Sequence, residues 1–155
     1  MKTKILALTS IVVFTLICSI NLYAQDPSDV GTPAFAPISS KTMTLKYGFK
    51  GASVYDTTLK KWQFLKMTTI TRSKVEGFVN QINDNLALAA GIGTIAVYDF
   101  SKHRWIVYER VTVDDSTAML DKNIILGKDY AIVKVLNGNF LKYTPQTGWY
   151  EFRKQ

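Results

Sequence analysis

Short apolar runs alternate with polar turns along most of the chain, and the pattern is clearest between Glu76 and Val113. There, Glu76 to Asn83 (EGFVNQIN) predicts a strand and Asp84-Asn85 a tight turn. Leu86 to Ala90 predicts a second strand, closed by Gly91-Ile92-Gly93. Thr94 to Asp99 (TIAVYD) predicts a third, and Trp105 to Val113 (WIVYERVTV) a fourth, with Ser101-Lys102-His103 between them. Runs rich in Val, Ile, Tyr and Thr, punctuated by Gly, Asn and Asp, mark an antiparallel meander. The same track recurs downstream: Asn123 to Gly127, Tyr130 to Leu136, Phe140 to Thr144 and Trp149 to Phe152, with Asn137-Gly138 as a hairpin pair. Upstream it is more degenerate, over Ala34 to Ile38, Thr42 to Tyr47, Gly51 to Asp56 and Trp62 to Thr69.

Landmark residues give the period. Tyr55, Tyr98 and Tyr143 lie 43 and 45 residues apart, and the only tryptophans, Trp62, Trp105 and Trp149, lie 43 and 44 apart. Gly48 and Gly91 each precede the landmark tyrosine by seven residues. A repeat of about 40–50 residues with four strands is the size of a propeller blade or of one trefoil lobe. The expected fold is therefore all-β: three four-stranded antiparallel repeats of about 44 residues, propeller-blade-like, with a β-trefoil as the alternative. The copies span roughly 34–69, 74–113 and 121–152, inside a single β-repeat domain at 34–155.

The segment LALAAGIGTIAVYDFSKHRW (Leu86 to Trp105) resembles the blades of kelch and WD-repeat proteins. It shows an apolar strand, a glycine turn, a strand ending aromatic-Asp, then a turn and a tryptophan. The paired glycines of kelch are reduced to Ala90-Gly91, and Tyr98-Asp99 stands where WD-repeats carry Trp-Asp. The resemblance implies blades. A propeller usually needs at least four of them to close, so three would leave two sheet edges that invite another chain. A protein partner would meet that need, as would a homodimer making six blades.

The ends and the charge add the cellular context. Lys2 and Lys4, a mostly apolar stretch from Ile5 to Ile20 and the small Ala24 read as a secretory signal peptide over residues 1–24. Its apolar stretch is shorter than the roughly 20 residues of a spanning helix, so no membrane span is expected after cleavage. The protein is thus expected to be exported to the periplasm, the cell surface or the medium. Cys18 follows Ile17 rather than a small residue, which disfavours lipidation there. Residues 25–41 form a Pro/Ser-rich leader merging into the first repeat. The chain carries a formal charge of +7, and Lys2 and Lys4 depart with the signal. The remaining excess is scattered, with Lys60-Lys61 and Arg153-Lys154 as the adjacent basic pairs, so a nucleic-acid partner is not expected.

Candidate chemistry is sparse. The single histidine, His103, lies in a turn near Asp99 and Ser101, but three residues of one surface hairpin do not converge as a triad requires. It reads as a solvated turn histidine. With Cys18 in the signal and one histidine, thiol catalysis and a His/Cys zinc site are both excluded, and no metal or cofactor is expected. Asp56 and Asp99 occupy equivalent places and read as turn-forming aspartates, with Thr144 making a weaker version of the same bond. Asp114-Asp115-Ser116-Thr117 lacks the ligand spacing of a calcium loop and reads as an exposed loop.

Aromatic residues make up 12% of the chain. Trp62, Trp105 and Trp149, with Tyr55, Tyr98 and Tyr143, would form three equivalent glycan-stacking sites if exposed. Their fixed place in a meander is also what packing between repeats produces, and that reading takes precedence. The functional expectation is an exported, non-catalytic binding or assembly module acting through protein interaction. Lectin-like carbohydrate binding is the alternative, followed by a small hydrolase or lyase.

Overall fold

A computed structural model describes residues 28–31, 33, 35–67, 79–91, 94–108, 124–135 and 138–153. Among them there are twelve strands and no helix. The first sheet holds β1 (Ile38–Ser39), β2 (Met43–Gly48), β3 (Gly51–Asp56) and β4 (Lys61–Lys66). The second holds β5 (Val79–Ile82), β6 (Leu86–Gly91), β7 (Thr94–Asp99) and β8 (Arg104–Tyr108). The third holds β9 (Ile124–Leu126), β10 (Ala131–Lys134), β11 (Phe140–Thr144) and β12 (Gly148–Phe152). Each sheet is an antiparallel meander of sequential strands.

Every strand pair among the described residues stays inside its own repeat. That is the organisation of stacked blades. A trefoil would share strands of its three lobes in one closed barrel, and the sheets here do not close into one.

The registers repeat. Leu45 pairs with Val54, Leu88 with Val97 and Ile132 with Lys142, at the same place in the three sheets. Side chains alternate across each strand, so every sheet has two faces, and the middle sheet turns one toward the first repeat and the other toward the third. Between the first two sheets, Met43, Leu45, Tyr47, Ala52 and Val54 pack against Ala87, Ala89 and Tyr98. Between the second and third, Leu86, Leu88, Ala90, Ile95 and Val97 pack against Ala131, Val133, Leu141 and Tyr143. The middle sheet is therefore buried on both faces. This explains why LALAAG and TIAVYD read as nearly continuous apolar runs rather than alternating ones. The small Ala87 and Ala89 share this layer with the larger Met43 and Tyr47, which lets the sheets approach closely.

The first strand of the first repeat departs from the expected Ala34 to Ile38. Only Ile38 and Ser39 pair with β2, and Pro33 makes an isolated bridge to Gly48. Pro33 and Pro37 have no N–H to donate, so the ladder cannot extend through them. The signal segment, Cys18, the Asp114–Thr117 loop and the ends expected for β4, β5 and β8 lie outside the described residues.

Candidate interaction face

The turn after the third strand of each sheet carries the polar chemistry. Asp56 Oδ1 accepts the backbone N–H groups of Thr58 and Leu59, each at 2.9 Å. Asp99 Oδ1 accepts the Ser101 N–H at 2.9 Å and its hydroxyl at 2.6 Å. In the third repeat Thr144 Oγ1 accepts the Thr147 N–H at 3.1 Å, the weaker version expected of a hydroxyl. These bonds are the turn role read from sequence.

The other carboxylate oxygen of each Asp has a second partner that sequence reading missed. The Tyr98 hydroxyl donates to Asp56 Oδ2 at 2.7 Å, and the Tyr143 hydroxyl donates to Asp99 Oδ2 at 2.6 Å. All four side chains are buried. Each aspartate thus ties its own turn with one oxygen and clamps the tyrosine of the next repeat with the other. Burial alone would push the Asp56 carboxyl up. Hydrogen bonds from His103, the Leu59 N–H and Tyr98 outweigh it and hold Asp56 below the usual carboxylate range. Asp99 is held low in the same way by Ser101, Tyr143 and the charge of Lys102, against its own desolvation. Tyr98 and Tyr143 are pushed up, first by burial and then by the carboxylates they bond. They stay protonated donors at any physiological pH.

The tryptophans form a parallel series. Trp105 Nε1 donates to the Gln63 carbonyl at 2.8 Å, and Trp149 Nε1 to the Ile106 carbonyl at 2.9 Å. Each therefore reaches back to the last strand of the preceding sheet. In every repeat the tryptophan also packs on its own landmark tyrosine, with ring centroids 5.4 Å apart for Tyr55–Trp62, 5.6 Å for Tyr98–Trp105 and 5.4 Å for Tyr143–Trp149. A third series links the turns at the sheet ends: Thr42 Oγ1 donates to the Asp84 carbonyl, and Asn85 Nδ2 to the Lys128 carbonyl.

His103 lies in the expected turn with its side chain 35% exposed, but its ring is bonded. Its Nδ1 lies 2.7 Å from Asp56 Oδ2, so it contacts the preceding repeat rather than Asp99 and Ser101 of its own turn. An ionised Asp56 can only accept, which places the proton on Nδ1. His103 reaches Asp56 from a left-handed backbone (φ 52°), and Lys60 has the same backbone conformation (φ 53°) at the equivalent place. The third repeat has a shorter loop and puts Gly148 (φ 70°) there, where no side chain is strained.

Both series run out at the first sheet. Tyr55 and Trp62 hold the places of Tyr98 and Trp105, on the face of the first sheet that no other described sheet covers. Among the described residues neither the Tyr55 hydroxyl nor Trp62 Nε1 has a hydrogen-bond acceptor. Beside them stand Thr44, Lys46 and Ser53 where the second sheet has Ala87, Ala89 and Ala96. The Lys46 ammonium lies over the Trp62 ring, 4.3 Å from its centroid. Phe64 completes the face, and a cavity of about 180 Å³ adjoins it, lined by Val30, Phe35, Lys46 and Tyr47 among others. Of the six aromatic residues singled out from sequence, Tyr98, Tyr143, Trp105 and Trp149 sit between sheets. Tyr55 and Trp62 are half-buried and share this terminal face.

The opposite end is different in kind. The outward face of the third sheet carries Ile132, Lys134, Phe140, Lys142, Thr144, Tyr150 and Phe152, with the Phe140 and Phe152 rings stacked at 5.4 Å. Lys142 and Thr144 replace Val97 and Asp99 of the second sheet.

No protein-family model matches the chain, and no curated protein matches it. Among the described residues, no three His, Cys, Asp or Glu side chains converge as a metal site would need, and no helix is long and apolar enough to cross a membrane. The signal that could have exposed the clamp was the sequence pair itself: Tyr55-Asp56, Tyr98-Asp99, then Tyr143-Thr144, losing its aspartate only in the last copy.

Proposed function

We propose that the chain is an exported, non-catalytic binding or assembly module that acts through protein interaction at its terminal sheet faces. Its units are degenerate blades of the kelch or WD-repeat kind, used here as a short stack. One observation carries the reading: the donors of Tyr55 and Trp62 stand on the first face in the geometry that Tyr98 and Trp105 use to grip a neighbouring sheet. Half-buried donors with no acceptor among the described residues are what a docking face offers, because leaving them unpaired under a covered surface is costly.

A photo-crosslinking residue at Phe64, compared with one in the exposed turn at Thr58, tests this in cells that export the protein. A discrete adduct from Phe64 and none from Thr58 supports a docking face. No adduct at Phe64, or the same products from both, rejects it.

Carbohydrate binding is the second reading, favoured by the Tyr55–Trp62 pair beside the adjoining cavity. It centres on that one pair, since the other two tryptophans are bonded between sheets. Fluorescence of a Trp105→Phe/Trp149→Phe variant, which reports Trp62 alone, would then respond to added glycans.

A further inference from the structure

The internal interfaces describe the neighbour that the first face is built to receive. Twice within the chain, a face carrying the Tyr–Trp pair is covered by the far face of a sheet. That covering face presents a carboxylate to the tyrosine hydroxyl, at Asp56 or Asp99, and a fourth-strand carbonyl to the indole, at Gln63 or Ile106. It is otherwise aliphatic, through Leu45 and Val54 or Leu88 and Val97. The first face keeps both donors and changes what surrounds them. Lys46 replaces Ala89 of the second sheet and Val133 of the third, so a cation sits where the internal interfaces are apolar.

The chain's own far face does not supply that partner. In a head-to-tail pair of copies, the tyrosine would meet Thr144 instead of an aspartate. Lys46 would enter an interface holding Lys134 and Lys142, which occupy the places of Ala90 and Val97. Like charges brought together under a covered interface cost several kcal/mol. The two ends thus reject each other.

Resting on the docking reading above, we propose that the first face receives the face of a β-sheet from a different chain, one that carries a carboxylate opposite Tyr55 and is acidic rather than basic opposite Lys46. The partner takes the position that a preceding sheet holds at the two internal interfaces. The Tyr55 hydroxyl donates to its carboxylate, Trp62 Nε1 to one of its strand carbonyls, and Lys46 pairs with its negative charge.

The protein itself can be turned into the probe. Lys134→Ala, Lys142→Val and Thr144→Asp together give the third sheet the far-face chemistry of the second. The purified triple variant should then associate head to tail, at least doubling its solution mass by sedimentation at concentrations where the wild type does not. Lys46→Glu alters the other end and should also associate, through its own Lys134 and Lys142, with a dependence on salt. Adding Tyr55→Phe to the triple variant, or Trp62→Phe to either associating variant, should weaken association about tenfold. The inference is overturned if both variants keep the wild-type mass, or if their association survives both aromatic substitutions. It is equally overturned if the wild type already forms oligomers that depend on Tyr55 and Trp62, since the occupant is then a second copy. Failure here together with a Phe64 adduct sinks the sheet partner alone; absence of the adduct sinks the docking reading itself.

Discussion

Replacing Tyr98 with phenylalanine removes one oxygen atom from between the first two sheets and leaves the ring in place. The lost bond runs to a carboxylate at 2.7 Å, and both residues are 0% exposed. A hydrogen bond to a charged group contributes about 1.5–3 kcal/mol, and removing one partner leaves the buried oxygen short of a donor. Asp56 keeps two backbone N–H groups and His103, which moderates the penalty. Tyr98→Phe should therefore cost about 2 kcal/mol. For a domain of this size that lowers the melting midpoint by about 8 °C. Tyr55→Phe is the control, since the same substitution one repeat earlier removes a hydroxyl with no acceptor among the described residues. It should change stability by less than about 0.5 kcal/mol. Urea unfolding followed by circular dichroism measures both, with the slope unchanged if only the native contact is lost. A double-mutant cycle with Asp56→Asn should return a coupling of about 1–3 kcal/mol. Equal, small losses for Tyr98→Phe and Tyr55→Phe, or a coupling near zero, would refute the clamp.

Two further outcomes follow from the same geometry. Asp56 and Asp99 are held below their unfolded-state values, so they add stability above the unfolded carboxylate pKa of about 3.9. That stability is lost as pH falls through the lower folded values. Thermal melts should fall steeply below about pH 4 and flatten in an Asp56→Asn/Asp99→Asn variant; an equally steep fall in that variant would assign acid sensitivity to other groups. Trp105→Phe should cost about 2–3 kcal/mol, because it loses both packing and the bond to Gln63. Trp62→Phe, with no such bond, should cost clearly less in the same melts.

Much of the architecture was legible because the meander's signals are local. Thr94–Asp99, Gly51–Asp56 and Phe140–Thr144 form the expected strands without change, each bounded by turn residues whose chemistry stops the ladder. The doubly buried LALAAG run and the landmark tyrosines also carried the repeat. What escaped was contact between repeats. His103 and Asp56 are 47 residues apart, and nothing in the local pattern SKHRW says that its ring reaches a neighbouring sheet. The tyrosine–aspartate clamp was hidden for the same reason. Each aspartate already had a sufficient local explanation in its turn, and its second oxygen becomes visible only once the sheets are stacked. The distinction between Trp62 and its two counterparts likewise depends on which sheet has a predecessor.

The central claim is a series of inter-sheet clamps that ends with its donors presented on the first sheet. Hydrogen exchange at the three indole N–H groups, resolved by NMR and assigned with single Trp→Phe variants, tests it most directly. Trp105 and Trp149 should be strongly protected and Trp62 should exchange fast, slowing when a partner binds. Three equally protected indoles would contradict it, as would a Trp62 indole slower to exchange than the other two.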